Sequence, residues 1–151
     1  MGLLPFKRKE IFSESEKTRL VQAIRVAERL TSGEIRLFVE SHCKYVDPIE
    51  RAREAFTSLG MEKTKQRNGV LVYVAIKDKQ FAILGDQGIH EKVGTDFWIK
   101  EANLMRSHFR DSHIIEGIEE CIREIGESLR THFPHEADNV NELPDDIVFG
   151  K

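Results

Sequence analysis

Apolar positions along this chain fall into two periodicities. Val70 to Ile76 is an unbroken apolar run of strand length, and Phe81 to Leu84 is a second, shorter one after Lys77-Asp78-Lys79. A strand covered on both faces reads as a continuous apolar stretch, because neither face returns to water. Ile35, Leu37 and Val39 alternate with Arg36 and Glu40 and predict a first strand, with Phe38 implying that its other face is covered too. The remaining apolar residues recur at helical spacing: Leu20, Ala23, Ile24, Ala27 and Leu30; Ile49, Ala52, Ala55, Phe56 and Leu59; Trp98, Ala102, Met105 and Phe109; Ile114, Ile118, Cys121, Ile125 and Leu129. Each set lines one face of a helix.

The punctuation agrees with the periodicity. Ser13-Glu14-Ser15-Glu16 has the form of a capping box, with a hydroxyl N-cap and Glu three residues on. Asp47-Pro48 is a helix start with Pro at the first helical position. Thr95 is the expected N-cap of the third helix, and Asp111-Ser112 separates it from the fourth. Strand, helix, strand implies a right-handed parallel crossover. The break at 77–79 is too short for a crossover, so the Phe81 strand must return antiparallel. The expected fold is α/β, a three-layer α/β/α sandwich on a small mixed sheet. It spans residues 13–133, between a leader over 1–12 and an acidic tail over 134–151 in which Ile147-Val148-Phe149 is expected to dock.

The composition narrows the functional classes. A net charge of −3 does not suit a general nucleic-acid binder, which needs a clustered excess of Lys and Arg. No stretch approaches the roughly 18 apolar residues of a membrane span. Leu3-Leu4-Pro5-Phe6 before Lys7-Arg8-Lys9 is too short for a signal-peptide core. With no such segment, a cytoplasmic location is expected. Cys43 and Cys121 make no disulfide framework and are expected as free thiols. No His-x-x-x-His or Cys-x-x-Cys pair suggests zinc. Neither a Gly-x-x-x-x-Gly-Lys-Ser phosphate loop nor a Gly-x-Ser-x-Gly elbow is present.

The topology gathers Ser32-Gly33-Glu34, Arg67-Asn68-Gly69 and Gly85-Asp86 at one edge of the sheet, with Asp96 a further candidate for it. Asp86, Glu91 and Asp96 lie in what reads as an eleven-residue loop from strand to helix. Hard cations take oxygen ligands, which loop carboxylates and carbonyls supply. Spacing alone favours a structural role for the same residues: Asp86 in an Asx-turn, Asp96 against the helix dipole, Glu91 in solvent. His90, between Gly88 and Glu91, suits either a general acid or a solvated loop histidine.

Between Ile11 and Phe133 the chain resembles the TPM-domain family. The resemblance rests on Thr31-Ser32-Gly33 entering a strand, Asn68-Gly69-Val70-Leu71 opening the central strand, Gly85-x-x-Gly88 after the hairpin, Asp96 at the third helix, and Phe109-Arg110. It implies an α/β/α sandwich, binding of Ca²⁺ or Mg²⁺, and a role in membrane-complex maintenance or stress response beside a membrane-associated protein. It marks Asp86 and Asp96 as metal-site candidates, with Asn68 and Glu34 nearby. It also implies an alternative, since members have been described as acid phosphatases: a metal-assisted phosphomonoesterase whose phosphate would meet Arg36, Arg67 or Lys92. The chain departs from the family where Asp86-Gln87 and Ile89-His90-Glu91 replace an aromatic residue and Leu-Glu-Gly, and it looks like a cytosolic branch.

Overall fold

A computed structural model describes residues 11–135 and 146–150. The elements run α1 (Glu14–Glu28), β1 (Glu34–Glu40), α2 (Pro48–Ser58), a 3₁₀ turn (Met61–Lys63), β2 (Gly69–Ala75), β3 (Gln80–Gly85), α3 (Gln87–Arg110), α4 (Ile114–His132) and β4 (Val148–Phe149). The sheet order is β3-β2-β1-β4. β1 and β2 are parallel, with Ile35 opposite Val70, and β3 runs back against β2, with Val70 opposite Gly85.

The continuous apolar run is the centre of the sheet, and its two faces feed two cores. Val70, Val72 and Val74 pack with Ile35, Leu37 and Val39 against α1, α3 and α4. Leu71, Tyr73 and Ala75 pack with Phe38 against Ala52 and Ala55 of α2 and Met61 of the 3₁₀ turn. Every residue of β1 and β2 is buried, which is why neither strand alternates. The three-layer α/β/α sandwich follows.

Ser13 caps α1 in a complete capping box, and Asp47 caps α2 through the Ile49 N–H. Helix α1 ends at Glu28 with Arg29 as its C-cap, and Thr31 then ties the entry of β1 to the end of α4. Its hydroxyl donates to the Phe133 carbonyl and accepts from the Gly33 N–H.

The third helix differs from the expectation. It begins at Gln87, capped by Asp86, not at Thr95. Residues 87–93 are helical because Ile89 belongs to the core and pulls the first turns onto the sheet. Gly88 is needed for close approach, not for a loop: a Cβ there would lie 2.1 Å from the Gln66 carbonyl oxygen. The interruption comes at Gly94, at φ 74°, which glycine adopts without steric cost.

Val148 and Phe149 add to β1 as a parallel edge strand, and Phe149 meets Phe12 edge-on at 6.2 Å. Residues 136–145 and 151 of the expected tail, and residues 1–10 of the expected leader, lie outside the described residues. Both cysteines are free, Cys121 fully buried and Cys43 half-buried. No helix among the described residues is long and apolar enough to cross a membrane.

Candidate functional site

The starts of the parallel strands and the end of β3 meet at one edge, as the topology requires. There Asp86 leaves β3 with its N–H donating to the Gly69 carbonyl at 2.9 Å. Its carboxylate does two jobs. Oδ1 accepts from the Gln87 N–H at 2.8 Å and caps α3. Both oxygens also accept from Arg67, Nε to Oδ2 at 2.6 Å and the terminal guanidinium nitrogen Nη2 to Oδ1 at 2.8 Å. Such a fork is the strongest geometry for a guanidinium and a carboxylate.

The backbone turns sharply to make this pair. Arg67 sits at φ 52°, in the left-handed region. Its carbonyl accepts from the Gly88 N–H at 2.8 Å, which locks the turn before β2 to the first turn of α3. The Asp86 side chain is 6% exposed and that of Arg67 46%, so the anion is fixed and its partner faces water. Hydrogen bonding and charge from Asp86 raise the guanidinium pKa, and the charge of Glu62 adds to them.

Asn68 follows, with 1% of its surface exposed. Its N–H donates to the Thr64 hydroxyl at 3.2 Å and its amide nitrogen to the Ser32 hydroxyl at 3.2 Å. Gln66 reaches the same hydroxyl at 3.1 Å. The Asn68 Oδ1 is buried and accepts no hydrogen bond, and the same holds for one oxygen of Glu62. An unpaired buried acceptor costs free energy, and both of these lie on the connection that leads into β2. Glu34, 3% exposed, lies opposite Gly69 in the β1–β2 register.

Of the five residues expected at a metal site, Asp86, Asn68 and Glu34 therefore share this edge. Glu91 and Asp96 are exposed on α3, on either side of the Gly94 kink, and Glu91 is touched by the Gln87 amide at 3.4 Å. Among the described residues no three His, Cys, Asp or Glu side chains group as a metal cage. His90 accepts from the Trp98 indole N–H at 3.0 Å. Glu62, Thr64 and Gln66 were not marked by the pattern, which showed only a polar connection.

Two further polar centres escaped the sequence. At the opposite end of the parallel strands Glu40, 5% exposed, accepts from Arg51 at 2.8 and 3.1 Å and from the Tyr73 hydroxyl at 2.5 Å. Burial first, and then the bond to Glu40, push the Tyr73 pKa far up. Between α3 and α4, Glu101 is fully buried among Glu124, Cys121 and Lys100. Burial, followed by the neighbouring Glu124, raises its carboxyl pKa to about 8. Desolvation opposes the charge on Glu124, but the bonds from Glu101 and Lys100 outweigh it and lower its pKa.

With this geometry in hand, the relatives are informative. The model of the TPM domain matches residues 6–128, and the chain belongs to that family. The NMR structure of the BA42 protein from the psychrophilic bacterium Bizionia argentinensis is similar at 40% identity and a TM-score of 0.86, over 95% of this chain and 99% of that one. Two N-terminal domains share the fold at lower identity. That of a Corynebacterium glutamicum protein has 18% identity and a TM-score of 0.62, covering 79% of this chain and 74% of its own. That of a P. gingivalis protein has 15% identity and a TM-score of 0.63, covering 83% of each. Comparison with curated proteins gave no match.

Proposed function

We propose that this TPM domain is a divalent-cation-responsive module acting in the cytoplasm, binding Ca²⁺ or Mg²⁺ at the Asp86 edge and changing how it contacts a membrane-associated partner. The observation that carries this reading is the buried, donorless Asn68 Oδ1 beside strand ends that also hold the Asp86 carboxylate. Asp86, Asn68 and Glu34 supply only oxygen, which suits a hard cation. Arg67 already neutralises Asp86, so a cation must displace it, and a side chain that faces water can leave at small cost. Asp96 and Glu91 would join only through movement at the Gly94 kink.

Competition with a resident guanidinium implies weak binding, on the order of 10⁻⁵ to 10⁻³ M. Calorimetric titration with CaCl₂ and MgCl₂ tests this. Heat and a thermal shift in the natural chain, both lost in Asp86→Asn, support it. No heat in the natural chain at about 10 mM cation, some ten times the weakest affinity in that range, refutes it.

The catalytic alternative, a metal-assisted phosphomonoesterase, draws its support from the family resemblance alone. Of the three cations considered for a phosphate, Arg67 is held by Asp86, Arg36 is buried within β1 and Lys92 is exposed on α3.

A further inference from the structure

The two edges of the sheet are treated differently. At the β1 edge the chain adds its own strand, β4, and the Gly150 N–H donates to the Val39 carbonyl at 2.8 Å. At the other edge β3 has no neighbour among the described residues. The register shows which of its backbone groups are open. The Asp86 N–H donates to Gly69, so the hydrogen-bonded pairs of this antiparallel ladder continue at Leu84–Leu71, Ala82–Tyr73 and Gln80–Ala75. The N–H and C=O groups of Phe81, Ile83 and Gly85 consequently point away from β2. Their two-residue spacing is that of an extended strand and matches no other regular backbone.

A groove of about 460 Å³ runs along this edge. Ile49 of α2 stands on one side, 41% exposed, and Ile99 of α3 on the other, 53% exposed. A strand laid here would send alternate side chains to each of them. Lys79 and Arg106 line the end of the groove where β3 starts. Arg106 covers the Phe81 ring at 5.9 Å and bonds only the neutral Asn103. Neither cation forms an ion pair with a described residue. The carboxylate in the groove, Asp47, is occupied in capping α2.

We infer that the β3 edge is a strand-addition site for an extended segment of a partner protein, with alternating apolar residues and an acidic C-terminal end. The segment runs antiparallel to β3, so that its acidic end meets Lys79 and Arg106. Backbone hydrogen bonds to Phe81, Ile83 and Gly85 hold it, and Ile49 and Ile99 select its side chains. This site does not depend on the cation reading at Asp86.

The test is an NMR titration of the full chain with a blocked octapeptide of alternating valine and threonine that ends in two aspartates. The expected result is slowed exchange of the Phe81, Ile83 and Gly85 amides. Affinity should fall about tenfold or more for a counterpart ending in two lysines, the scale set by close interfacial charges. A similar fall is expected in Lys79→Glu/Arg106→Glu and in Ile99→Asp. Both variants alter exposed positions and are expected to keep the fold, which their amide spectra check. No change at these amides up to millimolar peptide overturns the proposal, as does equal binding of the two peptides. Protection of the same amides that grows with protein concentration alone also overturns it, in favour of a second copy of this chain.

Discussion

Arg67 holds both oxygens of Asp86, at 2.6 and 2.8 Å, while the carbonyl of Arg67 accepts the Gly88 N–H two residues beyond Asp86. Side chain and backbone therefore fasten the same two segments, the turn into β2 and the start of α3. Glycine at 88 is a condition of this arrangement. A Cβ would stand 2.1 Å from one carbonyl oxygen and 2.7 Å from the next, and backbone cannot yield as a side-chain tip can. Gly88→Ala is expected to destabilise the protein by about 1–3 kcal/mol, as overpacking does. It should also shift the Asp86 and Arg67 amide resonances. Urea unfolding followed with NMR spectra checks both.

Glu101 makes stability depend on pH. Its carboxyl keeps a proton to about pH 8 when folded, against about 4.5 when unfolded. Between these values the folded state binds the extra proton, so stability falls as pH rises. The contribution is complete below the unfolded value and gone above the folded one. The groups facing Glu101 are Lys100 on its own helix and Glu124 and Cys121 on α4, and burial also raises the Cys121 thiol. The melting temperature should drop by several degrees between about pH 6 and pH 9, and Glu101→Gln should flatten that slope. An unchanged slope in the variant would place the proton elsewhere.

The Glu40–Arg51–Tyr73 centre should respond as a buried ion pair. Arg51→Met leaves Glu40 charged and buried, a loss of about 3–5 kcal/mol. Adding Glu40→Gln removes the stranded charge and should recover most of that loss. A double-mutant cycle in urea measures the coupling, and additive effects would show that the pair is not coupled.

Much of the architecture was legible because burial imposes it on sequence directly. Val70 to Ile76 is apolar at every position because both faces of β2 are covered, and that run placed the centre of the sheet. Ser13 and Asp47 announce their helices through side chains that accept from the first-turn N–H groups of Glu16 and Ile49. The segment 87–93 was not legible. Its glycine and charged residues mimic a loop, and what draws it onto the sheet as a helix is tertiary: the burial of Ile89 in the core. The site was half legible. Topology brought Asp86, Asn68 and Glu34 to one edge. That Arg67 would take Asp86 depends on a left-handed turn that no spacing encodes.

The central claim is that a divalent cation and Arg67 compete for Asp86. Calorimetric titration of Arg67→Gln with CaCl₂, beside the natural chain and Asp86→Asn, tests it most directly. Freed of its guanidinium, Asp86 should bind Ca²⁺ about tenfold or more tightly, the ratio of about 1.4 kcal/mol, while Asp86→Asn binds none. Affinity that is unchanged or weaker in Arg67→Gln would contradict the competition and place any cation away from this edge.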